Sequence, residues 1–460
     1  MKRILCSCLL LSLVMFMAFA SGSSEAVDDG TDTITALLPP ISNQFLSRID
    51  EVEAAFHEKY PDLYLEIEAA SWDDRIEKLD TMINAGTPPD IAFLGSEYVS
   101  KYVDMGVALD LTNFLTEDMI SDFQEAPLNY MRNGDGIYGL PAYMEIHGLG
   151  ANKEYLELLG VDYKTIQTSG WEFGEFLDVV SRGVGVKGKN SEAEYGLIWA
   201  TTGSTTKNFI EIFGKNAGMP SEFDENHKYT YTSTKFLEVL RAAEKLMDNG
   251  AFMNASAGER WNMFLSGDTV FTGKGLANFE NNAALNNEKI LAGTGDQVAD
   301  SVLVDYVVMP VPTLNGADPA YYCVVDGYLA FRGREMPSDE HISNVAKAIY
   351  FLASGSNAAQ INSELFAVNI TNSANEAAAE YPYERDADNY AANMYLMAHA
   401  APARPDIPAE LSAEATKIMD TVIIPSFQAL LAREMTAEEM FETVRSEAIA
   451  RFGEDGCVLD

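Results

Sequence analysis

Cysteine is scarce in this sequence, which limits the part that disulfide bonds can play in its fold. Of the 4 cysteines in 460 residues, Cys6 and Cys8 lie in an apolar run at the amino terminus. The other two, Cys323 and Cys457, are too few and too far apart to form a disulfide framework. We expect a buried Cys323 and a free Cys457 near a frayed carboxyl terminus; a single bridge between them is the alternative.

Basic residues are also scarce. The chain has 31 Lys and Arg residues against 70 Asp and Glu residues, which gives a formal net charge of −39. A surface this acidic repels phosphate backbones and anionic lipid headgroups, so the composition argues against nucleic-acid binding. The same charge keeps a protein soluble and monomeric, and it favours a neutral ligand over a strongly anionic one.

Motifs typical of catalysis and of metal binding are missing. The 5 histidines are scattered, and the sequence has neither G-x-S-x-G nor G-x-x-x-x-G-K-[ST]. A glycosidase needs two carboxylates at a set separation, but such a pair arises by chance among so many acidic residues. We therefore expect a protein that is not an enzyme and that has no cofactor and no metal, with a carbohydrate-active enzyme as the alternative.

Long apolar runs are absent except at the amino terminus. There, a positively charged start precedes an apolar run over residues 4–20 that ends in Ala18-Phe19-Ala20. This pattern fits a cleaved signal peptide, and the run is short for a membrane span. We interpret residues 1–20 as a signal peptide and the small, polar, acidic residues 21–33 as a flexible leader. The sequence thus predicts a periplasmic or otherwise extracytoplasmic protein.

Hydrophobic periodicity predicts alternating strands and helices after this leader. Predicted strands cover residues 34–38, 63–67 and 91–94, and predicted helices cover residues 43–60 and 73–84 and begin again near residue 97. Such alternation is typical of an α/β protein in which helices flank a mostly parallel sheet. Ligands of such sheets bind beyond the carboxyl ends of the strands, which here are the loops at residues 39–44 and 95–98.

The remainder of the chain is richer in helices. Thr436 and Glu439 have the spacing of a capping box at the start of the last predicted helix. Since 460 residues exceed the usual size of one compact core, we expect two large domains. Predicted helices cover residues 173–181, 235–249, 259–265, 345–353, 389–400, 411–431 and 437–451, and predicted strands cover residues 196–199, 269–272, 302–310 and 324–331.

A series of strings follows one another in a recognisable order. "FHEKYPDLYLEIEAASWDDRIEKLDTMINAGTPPDIAFL" and "GIYGLPAYMEIHGLGANKEYLELLGVD" are followed by "WEFGEFLDVV", "RWNMFLSGDTVF", "VVMPVPTLNG", "VVDGYLAF" and "ARPDIPAE". In content and order they resemble family 1 of the extracellular solute-binding proteins, which includes sugar-binding components of ATP-binding-cassette importers. The matching strings span nearly the whole mature chain.

The resemblance implies a two-lobed periplasmic-binding-protein fold of type II, with a mostly parallel sheet flanked by helices in each lobe. It implies a monomer that captures a carbohydrate, and most specifically an oligosaccharide, in the cleft between the lobes. Ligand binding would close the lobes, and the closed form would deliver the ligand to the permease subunits of an importer.

By analogy with the family, the chain crosses between the lobes three times. We expect these crossings near Pro141, near residues 309–312 and near residues 369–373. The amino-terminal lobe would comprise residues 34–141 and 312–370, and the carboxyl-terminal lobe residues 142–311 and 371–460.

The sequence departs from the family pattern at two places. Many relatives have a lipid-modified Cys where this chain has Ser21, so we expect no lipid anchor. Maltodextrin-binding members place a Trp where this chain has Ala277, so the resemblance does not imply a maltodextrin ligand.

Sugar recognition requires aromatic rings that stack on pyranose faces and polar groups that pair with hydroxyls. Glu97 and Glu145 match family positions whose carboxylates contact sugars, and Tyr98 and Tyr143 lie beside them. The structural alternatives are a helix-dipole role for Glu97, an ion pair near the hinge for Glu145, and packing for Tyr143.

Other candidate ligand contacts lie at the ends of predicted strands. Trp199 ends a strand and precedes polar residues, so we expect it to stack on the ligand, with core packing as the alternative. The remaining candidates could instead cap a helix, satisfy a turn or form a surface ion pair; they are Asn43, Gln44, Asn278, Asp326 and Arg404. The same fold also serves other solutes, so a polyamine or a sugar phosphate remains the alternative ligand.

Overall fold

The computed structural model describes residues 31–460 except residues 43, 73, 203, 204, 220, 403, 405 and 406. The predicted signal peptide, most of the predicted leader and the candidate Asn43 therefore lie outside the described residues. Within the described part of the chain, no helix combines the length and the apolar character that crossing a bilayer requires.

The first sheet has six strands in the order β13-β12-β3-β1-β2, with β6 also paired to β12. β1 pairs in parallel with β2 and with β3, as the alternation of strands and helices predicts. Its successive side chains enter two separate cores: Ile34 and Ala36 pack on one face and Leu37 on the other. The strands are β1 (Asp32–Leu38), β2 (Leu63–Ala69), β3 (Ile91–Gly95), β6 (Gly139–Ile146), β12 (Tyr321–Ala330) and β13 (Ala400–Pro402).

The second sheet has five strands in the order β11-β7-β10-β8-β9. β8 lies in parallel between β10 and β9, whereas β7 runs antiparallel to both of its neighbours. The strands are β7 (Gly148–Asn152), β8 (Tyr195–Ala200), β9 (Phe252–Ala255), β10 (Thr269–Gly275) and β11 (Tyr306–Met309), and a separate hairpin consists of β4 (Arg132–Asn133) and β5 (Gly136–Ile137).

Helices cover both sheets and divide into two sets. Those of the first lobe are Ile49–Lys59, Arg75–Ala85, Val99–Asp104, Glu117–Asp122, Glu125–Asn129, Asp339–Ala353, Gly355–Leu365 and Asn372–Ala377. Those of the second lobe are Lys153–Leu158, Tyr163–Ser169, Phe173–Gly183, Thr206–Asn216, Thr234–Asp248, Ala257–Leu265, Asn278–Ala292, Ala387–Ala398, Ala409–Ile418, Ile424–Leu431 and Ala437–Phe452.

Two helix predictions can be checked in detail. The capping box is confirmed, because Thr436 accepts from the backbone of Glu439 and the Glu439 carboxylate accepts from the backbone of Thr436. The single helix predicted over residues 411–431 is instead interrupted by a π-helical segment, Met419–Ile423. Pro425, which has no backbone N–H to donate, follows at the start of the next helix, and the wider turn before it accommodates this loss.

The crossings differ in detail from those expected. β6 stays in the first sheet beyond Pro141 as far as Ile146, because it pairs with β12 along that length. The chain passes to β7 at the next residues and returns between β11 and β12. After β12 it remains with the first lobe beyond residues 369–373, since Ala374 packs against Ala358 and its neighbour in a small core of their own.

Cys323 and Cys457 are both free and both buried. The expected fraying near Cys457 is not observed, because the end of the chain is held in place. Val458 donates its backbone N–H to the Tyr229 carbonyl at 3.0 Å, and the Asp460 carboxylate accepts from the backbone of Thr234 at 2.7 Å.

Candidate functional site

A group of carboxylates and phenols lies at the carboxyl ends of β3 and β6 and along the neighbouring part of β12. Glu97 follows β3 in a 3-10 turn, and Asp326 on β12 pairs with Gly95 on one side and with Tyr143 on the other. A Cβ atom at Gly95 would lie 2.2 Å from Oε2 of Glu97, so the glycine leaves room for this carboxylate to fold back over the strand end. The first lobe thus presents Glu97 and Asp326 side by side.

Asp326 is a buried carboxylate that its surroundings make less acidic. Loss of solvent raises its pKa to about 6, and the negative charge of Glu145 adds to the effect. The positive charge of Arg75 and a hydrogen bond donated by the Tyr143 hydroxyl act in the opposite direction. Asp326 therefore changes its charge close to neutral pH.

Glu97 is solvent-exposed, yet its pKa also rises because of loss of solvation and because of the nearby Asp326. A carboxylate that is accessible to water but largely surrounded by protein lies inside a cleft. Arg75 lies at the edge of this region, with its guanidinium carbon 4.7 Å from the centre of the Trp72 ring, and Trp72 donates its indole N–H to the Pro40 carbonyl at 3.1 Å.

The second lobe contributes one face of the helix Thr206–Asn216, which follows β8. Lys207, Glu211 and Lys215 recur every four residues, so they lie on the same side of the helix. The ammonium of Lys207 is 3.4 Å from the Glu211 carboxylate. That of Lys215 lies 5.7 Å from the centre of the Tyr322 ring, at the start of β12. This helix face therefore approaches the strand that carries Asp326.

The titrating groups on this helix face, and Glu222 close to it, have strongly shifted pKa values. Loss of solvation lowers the pKa of Lys215 to about 8, and the same cause, reinforced by Glu211, raises the pKa of Glu222 to about 7. The pKa of Lys207 is instead raised, mainly by the adjacent carboxylate of Glu211. Perturbed titrating groups concentrated in one place are typical of functional sites.

Lys274, Glu145 and His147 lie where β10 and β6 end. Burial lowers the pKa of Lys274 and raises that of Glu145, while the opposite charges of the pair moderate both shifts. The Nε2 atom of His147 is 3.8 Å from the Glu145 carboxylate. Burial, followed by the positive charge of Lys274, lowers the pKa of His147 well below its usual value, so the imidazole is neutral at pH 7.

The two lobes face one another across this site. Lys207 of the second lobe acts electrostatically on Glu97 and Tyr98 of the first, and Lys274 acts on Asp326. Carboxylates of the first lobe thus lie within electrostatic reach of ammonium groups of the second, and Glu211 adds a carboxylate on the second lobe. In the described residues, no group of three or more His, Cys, Asp and Glu side chains is placed to hold a metal ion.

Several of the expected site residues come together here, namely Glu97, Tyr98, Tyr143, Glu145 and Asp326. The expectation that Tyr143 offers its ring to the ligand is not met, because the side chain is only 3% exposed. Its ring centre lies 5.9 Å from that of Phe93 in the core, and its hydroxyl is engaged with Asp326.

The expectation that Trp199 stacks on a ligand is wrong for this structure. The side chain is 0% exposed and packs edge-to-face on Phe209 at 5.2 Å. Phe213 lies 5.6 Å away, and a Cβ atom at Gly273 would come within 1.9 Å of the indole. The helix that follows β8 covers the ring, so Trp199 belongs to the core.

Two of the three remaining candidates have structural contacts. Gln44 is exposed, and its backbone N–H donates to the Glu364 carboxylate at 3.3 Å. Asn278 begins the helix Asn278–Ala292, and among the described residues its buried Oδ1 has no hydrogen-bond partner. Arg404 donates to the carbonyls of Phe223 and Asp224 in the second lobe. Hydrogen bonding to the backbone is thus a third role for Arg404, beside the cleft contact and the surface ion pair that the sequence suggested.

Sequence reasoning missed most of the basic side of the cleft. The four-residue spacing of Lys207, Glu211 and Lys215 was a signal that could have identified this helix face. The residues that it missed are Arg75, Lys207, Glu211, Lys215, Glu222, Lys274 and Tyr322.

Comparison with known proteins gives a family and several relatives. A family model described as bacterial extracellular solute-binding protein matches residues 51–339. A putative binding protein of Brucella abortus is 30% identical over 112 residues, which are 24% of this chain and 27% of that protein. An arabinooligosaccharide-binding protein of Halalkalibacterium halodurans is 24% identical over 227 residues, which are 48% of each protein. The chain thus matches about a quarter to a half of the length of these relatives.

Solved structures resemble nearly the whole chain. A substrate-binding protein of Listeria monocytogenes in complex with cycloalternan has a TM-score of 0.69 at 16% identity and covers 92% of this chain and 99% of its own. A maltodextrin-binding domain of Bdellovibrio bacteriovorus bound to maltotriose has a TM-score of 0.67 at 15% identity, with coverages of 91% and 99%. These likenesses confirm the expected two-lobed periplasmic-binding-protein fold.

Proposed function

Because the chain belongs to the bacterial extracellular solute-binding protein family, we propose that it captures a carbohydrate in the interlobe cleft and delivers it to an ATP-binding-cassette importer. We further propose that the carbohydrate is an oligosaccharide. The observation that carries the proposal is the placement of Glu97 and Asp326 in one lobe within electrostatic reach of Lys207 and Lys274 in the other.

Sugar hydroxyls both donate and accept hydrogen bonds, so they match a cleft that contains both carboxylates and ammonium groups. Carboxylates accept from hydroxyls and lysines donate to them, and such charge-assisted bonds are stronger than neutral ones. The half-buried rings of Tyr98 and Tyr322 would supply the apolar contacts. A ligand that leaves one of these groups unpaired binds less tightly, which gives selectivity.

Relatives support an oligosaccharide as the ligand. The Halalkalibacterium relative is an arabinooligosaccharide-binding protein, and solved structures with the same fold hold cycloalternan, maltotriose and mannotriose. The absence of Trp at position 277 leaves the choice among saccharides to experiment.

We propose that the protein binds its ligand and releases it unchanged. It would act as an exported monomer without a lipid anchor, and permease subunits in the membrane would receive the ligand from its closed form. A carbohydrate-active enzyme is the competing function; release of shorter products from a labelled oligosaccharide by the purified protein would establish it.

The test is a binding screen with a variant of the cleft. The mature protein is titrated by calorimetry with arabino-, manno-, malto- and xylo-oligosaccharides, with polyamines and with sugar phosphates. We expect one saccharide class to bind with a stoichiometry of one, and Asp326→Asn to weaken it about tenfold or more, because a hydrogen bond to a charged group is lost. Asp62→Asn, the same change at an exposed position of the first lobe, should leave the affinity unchanged.

Two results would contradict the proposal. One is binding of a polyamine or sugar phosphate, and of no saccharide, in a manner that depends on Asp326. The other is saccharide binding that Asp326→Asn leaves intact.

A further inference from the structure

Apart from the interlobe cleft, a cavity lies in the second lobe, along the outer edge of strand β11. Its volume is about 260 Å³. β7 and β11 run antiparallel, with Met309 opposite Leu149 at the end next to the crossing and Tyr306 opposite Asn152 at the other end. The cavity touches Tyr306 and Asp305, so it lies at the end of the strands away from the cleft.

The lining of this cavity is acidic. Against four carboxylates, those of Glu280, Asp305, Asp386 and Asp388, it contains a single cation, Lys153. Two of the carboxylates have partners outside the lining: Asp388 pairs with Lys164 at 2.6 Å and Glu280 with Arg385 at 3.6 Å. With these partners included, the site keeps a negative charge, in a protein whose net charge is −39.

Two buried amides of the lining hold each other in fixed orientations. Asn389 donates its Nδ2 hydrogens to the Tyr306 carbonyl at 2.9 Å and accepts from the Val308 backbone with its Oδ1 at 2.8 Å, so its orientation is set. Gln167 must therefore donate with Nε2, to the same Oδ1 at 3.2 Å and to the Val308 carbonyl at 2.9 Å. Both residues line the cavity.

The Gln167 side chain is therefore left with an acceptor atom, Oε1, that receives no hydrogen bond from the described residues. Gln167 is only 1% exposed. A buried acceptor left unpaired is destabilising, so this oxygen would be satisfied by a hydrogen-bond donor, and the carboxylates of the same lining favour a donor that carries positive charge. The described carboxylates do not converge as a metal site requires, which favours an extended organic cation over a metal ion.

We propose that this cavity is a second ligand site, separate from the interlobe cleft, that binds a small organic cation with primary ammonium groups. Its ammonium groups would donate to Gln167 Oε1 and to the carboxylates of Asp305 and Asp386. The cavity is smaller than a typical drug-sized pocket, so the ligand is a short amine and not an oligosaccharide.

The test uses 1,4-diaminobutane as the probe and neutral 1,4-butanediol as its control, at constant ionic strength. We expect the diamine to bind the mature protein with a stoichiometry of one and to raise its melting temperature, and the diol to do neither. Asp305→Asn should weaken diamine binding roughly two- to fivefold, as expected for a partly exposed ion pair.

A stronger variant places a competing ammonium inside the cavity. Ala284 is an exposed helical residue of the lining, so Ala284→Lys can direct its flexible side chain inward without disturbing the fold. We expect this variant to lose diamine binding. Leu285→Lys makes the same charge change at the next exposed position, outside the lining, and should bind as the unmodified protein does.

Three results would overturn the proposal. They are the absence of diamine binding, equal binding by the Ala284→Lys variant, and binding that is lost in Asp326→Asn but kept in Ala284→Lys. The last result would place the amine in the interlobe cleft and would count against the proposed sugar ligand, whereas failure of the diamine alone would leave that proposal intact.

Discussion

Asp326, which we propose contacts the ligand, would couple ligand binding to pH. Its carboxylate is buried beside Glu145 and held by the Tyr143 hydroxyl, and burial raises its pKa to about 6. A protonated carboxyl loses part of its capacity to accept hydrogen bonds. The residue therefore has opposite effects on stability and on binding as the pH changes.

We expect saccharide affinity to fall as the pH drops from 7.5 to 5, because Asp326 takes up a proton near pH 6. Calorimetric titrations at several pH values measure this, and Asp326→Asn should show a smaller dependence over the same range. An unchanged pH profile in that variant would assign the titration to another group, such as Glu222, whose pKa is raised to about 7.

The stability contribution of Asp326 has the opposite sign. Its pKa is higher in the folded chain than in the unfolded chain, so its contribution is fully present below pH 3.8 and is lost as the pH rises through about 6.

Trp199 leads to a prediction about stability and not about binding. Because its ring is packed against Phe209 and Phe213, Trp199→Phe should lower the free energy of unfolding by about 1–3 kcal/mol. The saccharide affinity should stay within about twofold of the original, the equivalent of roughly 0.4 kcal/mol. Urea denaturation and calorimetry on the same preparation separate the two effects. A large loss of affinity with little loss of stability would show that Trp199 contacts the ligand after all.

Residues at the ends of strands were predictable from sequence only in part. Glu97 could be placed near the cleft because it follows the carboxyl end of β3, and ligands of such sheets bind beyond those ends. Asp326 lies inside β12, which runs antiparallel to β3, so the same rule does not place it there. Trp199 also lies close to the carboxyl end of a strand, but a helix covers its ring. The sequence does not show which side chains that helix shields from solvent.

At the scale of elements, a histidine joins two strands of the first sheet to a helix. His341 of the helix Asp339–Ala353 has its Nδ1 atom 2.9 Å from the Asp32 carboxylate and its Nε2 atom 3.1 Å from that of Asp90. Asp32 begins β1, and Asp90 immediately precedes β3. The hydrogen bond to Asp90, with that to Asp32, raises the pKa of the imidazole to about 9 despite its burial.

This contact should contribute stability in a defined pH range. The pKa of His341 is higher in the folded chain than the unfolded value of 6.5. Its contribution to the free energy of unfolding is therefore fully present below pH 6.5 and is lost as the pH rises through about 9. We expect His341→Gln to lower the free energy of unfolding by about 1–3 kcal/mol at pH 6.5 and by much less at pH 9.5. Urea denaturation at both pH values measures this, with His57→Gln as the control for loss of an imidazole; an equal deficit at both values would contradict it.

Secondary structure was predicted well where the hydrophobic period is strong. The helix Thr234–Asp248 and the strand β3 differ from the predicted ranges by a residue or so at each end. The helices Thr206–Asn216 and Asn278–Ala292 were missed. The first begins among Thr and Ser residues that favour loops, and the second is rich in Asn, so local composition hid a periodicity that tertiary packing enforces.

At the scale of the whole molecule, Arg385 ties the two lobes together. It donates to the Phe366 carbonyl of the first lobe at 3.1 Å and pairs with Glu280 of the second lobe at 3.6 Å. The two side chains are only 5% and 12% exposed. The pair therefore lies buried close to the last crossing.

Removing the cation should be costly, because it leaves the Glu280 carboxylate buried without its partner. We expect Arg385→Met to lower the free energy of unfolding by about 3–5 kcal/mol, and addition of Glu280→Gln to recover part of that loss. Arg433→Met, which removes the cation of an exposed pair with Asp248, should cost no more than about 1 kcal/mol. Similar losses of unfolding free energy in Arg385→Met and Arg433→Met would show that the pair of Arg385 and Glu280 contributes no more than an exposed ion pair does.

The sequence is least informative about which residues of the two lobes lie opposite one another across the cleft. The family resemblance implied a cleft and placed the carboxylates of Glu97 and Glu145 in it, and Asp326 was a further candidate. The basic wall could not be derived in the same way, because Lys207 and Lys274 come from different elements and meet Glu97 and Asp326 only when both lobes are folded.

The position of the tryptophans has a practical consequence for optical measurements. Of the four indoles, Trp199 and Trp171 are buried in the second lobe and Trp261 packs against the same core. Trp72, under the guanidinium of Arg75, is the one beside the cleft. Changes in intrinsic fluorescence during a titration should therefore report the first lobe almost exclusively. A variant that keeps only this indole would be a probe of occupancy in which the other lobe is spectroscopically silent.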